Sequence, residues 1–131
     1  MSNNMTAGGQ HRVEHIDRCE FAVGEDLWPF AAANADRIEA HWIARRAANP
    51  AMFNGLIYML GEDNLRDGVL SGRLLRTEFK SFLYWKDHDY PDRSVRDVFG
   101  SALIYSAEGH VVLGRQAAGN LNSGLAYLPG G

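Results

Sequence analysis

An apolar stripe that is cut off at Asn49-Pro50 constrains this chain most. Ala31, Ala35, Ile38 and Trp42 recur at spacings of 4, 3 and 4, the signature of one buried helical face. Asp36, Arg37, Arg45 and Arg46 fall off that stripe. Asp26 suits a helix start, and Pro29 would sit in the first turn, where proline is tolerated. The residue before a proline avoids helical angles, so the helix is expected to end near Ala48.

Strand-like sequence flanks this helix. From His11 to Val23, Cys19, Phe21 and Val23 alternate with Glu20 and Ala22, the two-residue period of a strand, which Gly24-Glu25-Asp26 would break. After a turn at Phe53-Asn54-Gly55, the compact run Leu56–Leu60 reads as a buried strand ended by Gly61-Glu62-Asp63-Asn64. Val69–Thr77 reads as its hairpin partner, and Phe79–Trp85 as a short helix. Asp87–Asp92 reads as a loop and a domain boundary, with a second β-hairpin from Val98 onward. The pattern is α+β. It divides into a disordered polar tail at 1–10, a mixed α/β extension at 11–97 and a further unit at 98–131.

Composition narrows the partners. Net charge is -3 with basic residues scattered, so no basic stripe favours nucleic acid. No apolar run approaches the ~18 residues of a membrane span, and residues 1–10 lack the apolar stretch of a signal peptide. Cys19 is the only cysteine, which excludes an intrachain disulfide and fits a reducing, cytoplasmic setting. It is expected to fill core space.

The C-terminal third carries a more specific pattern. An apolar strand, Val98–Tyr105, leads to the Glu108-Gly109 turn, then to Val111–Gln116 closing on Arg115. A Gly/Asn-rich loop at 119–124 follows, and then Leu128-Pro129-Gly130-Gly131. This order resembles the opening of the catalytic domain of Nudix hydrolases, in which the second Gly of Pro-Gly-Gly begins the box G-x5-E-x7-R-E-U-x-E-E-x-G-U. The resemblance implies an α/β/α sandwich of which 98–131 holds the first β-hairpin. The box would begin at Gly131, so its glutamates are not among these 131 residues. The expected parent is therefore a pyrophosphohydrolase using Mg²⁺ or Mn²⁺ on a nucleoside diphosphate linked to another moiety. The 131-residue polypeptide itself is expected to be inactive. The resemblance further implies that the Gly130 carbonyl ligates metal and that Arg115 contacts substrate phosphate or nearby structure. Read from its residues alone, Arg115 is equally a solvated Arg closing a strand.

A second resemblance lies upstream. His41-Trp42, Arg45, Asn49-Pro50-Ala51-Met52-Phe53-Asn54-Gly55 and Phe79-Lys80-Ser81-Phe82-Leu83 are similar to the lead-in of Nudix enzymes that cleave UDP-glucose and UDP-galactose. That similarity implies a nucleotide sugar as substrate, with ADP-ribose or a related dinucleotide next, and leaves room for a homodimer. Tyr84-Trp85-Lys86 stands where that group has Gly-Thr, so uridine and sugar contacts do not carry over. From the residues themselves, Trp42, Phe53 and Phe82 are core, and Asn49-Pro50 and Asn54-Gly55 are a helix stop and a turn.

Other patterns carry less. His11 and His15 lie in strand-like sequence at a spacing that suits ligands only on a helix. Asp87, His88, Asp89 and Asp92 read as a solvated acidic loop. No Gly-x-Ser-x-Gly, Gly-Lys-Ser or paired-cysteine motif occurs. The alternative from a different class is a self-contained α+β module that binds a nucleotide or a protein without catalysis.

Overall fold

The computed structural model describes residues 12–120 and 122–130. The disordered tail expected at 1–10, His11 and Gly131 lie outside the described residues. The architecture is α+β. A mixed four-stranded sheet has the order β1-β3-β2-β4, with β1 at Arg18–Leu27, β2 at Leu56–Arg66, β3 at Val69–Glu78 and β4 at Val95–Asp97. Helices α1 (Pro29–Ala33), α2 (Ala35–Ala48) and α3 (Phe79–Asp87) complete this body, and a two-stranded ribbon pairs β5 (Gly114–Arg115) with β6 (Ala126–Tyr127). No helix among the described residues is long and apolar enough to cross a membrane.

The expected helix starts later and is broken. β1 runs through Asp26, whose carboxylate takes a hydrogen bond from Arg73 Nη1 at 2.6 Å. Trp28 stays extended (φ -74°, ψ 112°) because Pro29 follows it, and the helix begins at that proline. Asn34 then interrupts it. Both its backbone N–H and its side-chain amide donate to the Phe30 carbonyl, at 3.1 and 2.9 Å, the competition for backbone groups that makes Asn a poor interior residue. The end at Ala48 is as the Asn49-Pro50 pair requires. Of the stripe, Ile38 and Trp42 are buried, Ala31 is partly so, and Ala35 is exposed on the new first turn.

β2 is longer than expected. Gly61–Asn64 forms an irregularity inside the strand, with Glu62 at φ 53°, and pairing with β3 resumes at Asn64↔Ser71. The hairpin turns at Asp67-Gly68, where φ is 51° and 74°. Two consecutive positive φ values define the turn whose twist matches flanking strands, and Asp-Gly is among its favoured pairs. β1 lies parallel to β3, with Arg18↔Val69 to Val23↔Leu74 in register. Its first half, expected from His11, is not strand between residues 12 and 17.

Phe53-Asn54-Gly55 is a junction more than a turn. Asn54 Oδ1 accepts the Lys80 N–H at 2.9 Å, its Nδ2 donates to Glu78 Oε1 at 3.2 Å, and the Gly55 carbonyl accepts the Phe79 N–H at 2.8 Å. Asn54 thus satisfies an otherwise orphan donor in the first turn of α3 from outside that helix. Trp28, Met59, Trp85 and Val95 form one core cluster, and Trp42, Met52 and Leu83 another. Phe82 packs against the first cluster. Phe53, expected in the core, is 82 % exposed, and its neighbour Met52 is buried instead. Cys19 is exposed on β1 and fills no core space.

Leu83 is fully enclosed at 0 % exposure. Leu83→Ala is expected to lower unfolding free energy by about 2–5 kcal/mol through lost burial and a residual cavity. Phe53→Ala should change it by no more than about 0.5 kcal/mol. Paired urea titrations check both values.

Candidate functional site

Residues 98–130 are organised by backbone pairing more than by packing. Ser101 bridges Gly130, and the Ala102 N–H reaches the Pro129 carbonyl at 2.7 Å. Tyr105 bridges Val111, and the Val112 N–H reaches the Ile104 carbonyl at 2.9 Å. The strand expected over Val98–Tyr105 is therefore not formed, because isolated bridges are its only pairing, and of the strand expected over Val111–Gln116 only Gly114–Arg115 is extended, paired with Ala126–Tyr127 in place of the first stretch. Between them the Ser106 hydroxyl takes hydrogen bonds from the Glu108 and His110 N–H groups at 3.3 and 3.2 Å, with Gly109 at φ 84°. Ser106 also hydrogen-bonds the Glu108 carboxyl and holds it below its ordinary pKa.

Arg115 closes β5, as its place at the end of the second apolar stretch suggests. Its Nη1 donates to the Gly124 carbonyl at 2.9 Å, across the mouth of the loop. That loop is laced by Gly124 N–H to the Gln116 carbonyl (3.0 Å) and Gln116 N–H to the Leu125 carbonyl (2.9 Å). One guanidinium donor is used, and the residue is exposed. Gly130 returns beside the start of the first apolar stretch. A Cβ there would stand 2.7 Å from the Gly100 carbonyl oxygen and 3.1 Å from Ser101 Oγ, so only glycine fits without movement. No hydrogen bond among the described residues joins Arg115 to Gly130. Asn49 supplies a side-chain tie from the helical body to this region, donating from Nδ2 to the Gly119 carbonyl at 3.0 Å.

The acidic loop is not simply solvated. Asp87 ends α3 and faces α2, where His41 Nε2 lies 3.0 Å from its Oδ2. Arg45 Nε stands 3.2 Å from the same oxygen without an aligned hydrogen bond, and His41 Nδ1 is buried with no partner. His88 stacks on Tyr84 with ring centroids 3.9 Å apart. Asp92 Oδ2 accepts the Trp28 indole N–H at 2.8 Å, while its backbone carbonyl accepts that of Trp85 at 2.8 Å. These carboxylates are occupied by internal partners. Among the described residues no group of three or more His, Cys, Asp or Glu is arranged to hold a metal ion. The single metal donor that the sequence suggests is the Gly130 carbonyl, whereas Mg²⁺ takes about six oxygens.

Sequence reading missed the Trp28–Asp92 pair. Both residues were visible, but their separation of 64 positions carries no periodic signal. The Asp67-Gly68 turn did carry one, since Asp-Gly between two apolar stretches marks a hairpin.

Protein-family models, curated proteins and solved structures offer no match to this chain.

Burial alone would raise the Asp92 carboxyl, but hydrogen bonds from Ser94 and Trp28 outweigh it and hold the group below its ordinary pKa. A carboxyl depressed in the native state stabilises fully above its unfolded pKa and loses that contribution as pH falls through the native value. The stability difference between wild type and Asp92→Asn is therefore expected to shrink as pH falls from neutral through and below the ordinary carboxylate range. Thermal unfolding of both proteins over that window checks it, and a constant difference would sink the assignment.

Proposed function

We propose that these residues belong to a Nudix-type pyrophosphohydrolase that cleaves the diphosphate of a nucleotide sugar. The observation that carries the reading is the order strand, Glu108-Gly109 turn, strand, loop and Leu128-Pro129-Gly130-Gly131. On this reading Gly130 offers one oxygen to a divalent cation, and the carboxylates that complete its shell belong to a helix following Gly131. When bound, such a cation neutralises diphosphate charge and lowers the pKa of attacking water. Arg115 would receive the diphosphate with the guanidinium donors that Gly124 does not use. A planar fork of that kind matches two phosphate oxygens at once. The upstream likeness around Trp42 and Asn49–Gly55 ranks a nucleotide sugar ahead of ADP-ribose or a related dinucleotide.

The reading requires the reading frame to continue past Gly131 and to encode Glu at the sixth residue after it. Sequencing the transcript beyond that codon tests this directly, and a different residue or a stop codon there removes the proposal. A polypeptide continued through the box should release UMP from UDP-glucose with Mg²⁺, whereas residues 1–131 alone should release none.

In the continued polypeptide, Arg115→Ala should lower kcat/KM roughly 30- to 150-fold, corresponding to loss of one charged contact of about 2–3 kcal/mol. Melting temperature should hardly move, because the side chain is exposed. Unchanged kinetics would make Arg115 a loop clasp only, and an equally large loss of stability would make it structural.

A further inference from the structure

The backbone of the turn after α2 is satisfied from within. The Asn49 N–H donates to the Arg45 carbonyl at 3.0 Å, and the Asn49 carbonyl accepts the Met52 N–H at 3.1 Å. Pro50 restricts the backbone of Asn49, and buried Met52 anchors the turn in the cluster with Trp42 and Leu83. The Asn49 side chain therefore stands on a rigid support, and the turn makes no use of its amide. That amide donates from Nδ2 to the Gly119 carbonyl at 3.0 Å. Gly119 meets the same turn a second time: a Cβ there would stand 3.3 Å from the Ala51 Cβ, and its φ of 89° also favours glycine. Among the described residues no other hydrogen bond and no ion pair joins residues 12–97 to residues 98–130.

The loop that contains Gly119 holds itself together. Gln116 exchanges backbone bonds with Leu125 and Gly124 at 2.9 and 3.0 Å, Asn120 Nδ2 donates to Gln116 Oε1 at 3.1 Å, and Arg115 closes on the Gly124 carbonyl at 2.9 Å. A loop laced in this way turns as one piece, so one bond from outside is enough to orient it. We propose that Asn49 is a positioning residue. Its amide fixes the loop of residues 114–127 against the end of α2 and so sets where the Arg115 guanidinium stands relative to the body. That Arg115 then receives a diphosphate rests on the pyrophosphohydrolase reading; the tie itself does not.

Asn49 thus has a role beside ending α2. Pro50 stops the helix whatever residue precedes it, whereas the tie needs a donor at the reach of a short amide. Asp at this position has the same shape, but its ionised carboxylate only accepts. It would set a negative oxygen against the Gly119 carbonyl and leave the helix stop intact. Asn49→Asp therefore separates the tie from the turn.

Amide residual dipolar couplings of the 131-residue protein, isotopically labelled and weakly aligned in a dilute liquid crystal, test the tie without any catalytic reading. In the wild type, couplings from residues 114–120 and 122–127 should fit the alignment of the body. In Asn49→Asp they should shrink towards zero, while those of α2 and β2 keep their wild-type values and the Gly124 N–H keeps its exchange protection. Gly119→Ala attacks the same contact from the other side. It should loosen the loop of the wild type and add nothing in Asn49→Asp. Loop couplings that still fit the body in Asn49→Asp overturn the proposal, as does a wild-type loop already independent of the body. In the polypeptide continued past Gly131, Asn49→Asp should lower kcat/KM roughly 5-fold, the loss of one neutral hydrogen bond, and should cost nothing further in Arg115→Ala. An equal loss in both backgrounds overturns action through Arg115. Wild-type kinetics in Arg115→Ala itself would remove the phosphate reading, and the couplings would still decide the tie.

Discussion

The hydrogen bond from the Trp28 indole to Asp92 fixes the body of this protein. At 2.8 Å it joins the end of β1 to the segment that follows α3, and the same Asp92 accepts the Trp85 indole through its carbonyl. Two indole N–H groups buried among Met59 and Val95 would otherwise lack partners, at a cost of about 1–3 kcal/mol each. Satisfying both from one residue also sets where the chain goes next. Ser94 closes on Asp92 Oδ1 at 2.6 Å, and Val95 enters the sheet directly afterwards as the first residue of β4. The fourth strand exists because the loop before it is anchored by two tryptophans.

The His41–Asp87 contact acts in the same direction at the other side of α3. It ties the C-terminal turn of that helix to the middle of α2. Helix α3 is therefore held at both ends by side chains from distant segments, Asn54 at its start and His41 at its finish. Its nine residues are too few to be stable alone. Burial of Leu83, Tyr84 and Trp85 combined with these two clasps explains a helix that propensity leaves undecided between helix and strand.

Local signals in the sequence were legible where one or two residues decide the backbone. Asn49-Pro50 ends α2 at Ala48, Phe79–Trp85 is helical, and β3 follows its apolar alternation. The helix starts at Pro29 and not at Asp26 because Asp26, which looks like a cap, is held in strand by Arg73, a contact 47 residues away. Residue type alone points Phe53 and Cys19 to the core, yet the core takes Met52 and Trp28. The parallel placement of β1 on β3 was not readable, since period two describes a strand without naming its neighbour. Of the candidate site, the position of Arg115 at a strand end was readable, whereas the packing of Gly130 against Gly100 and Ser101 was not. The clasp of Arg115 on Gly124 was not, because a loop's internal hydrogen bonds leave no periodic trace.

The two parts of the chain are thus specified by different forces. The body up to Asp97 has side chains that exclude water, and its geometry follows from packing. From Phe99 to Leu128 the large apolar residues Phe99, Leu103, Tyr105 and Leu113 are more than half exposed. There the course of the chain rests on a few backbone bridges and on the Asn49–Gly119 tie. Solvated hydrogen bonds contribute only about 0.5–1.5 kcal/mol each, against the larger gain available from burying those side chains. The energetic preference of this region therefore depends on whatever apolar surface it meets. Its glycines and Arg115 hold a local shape that such packing would fix without having to create.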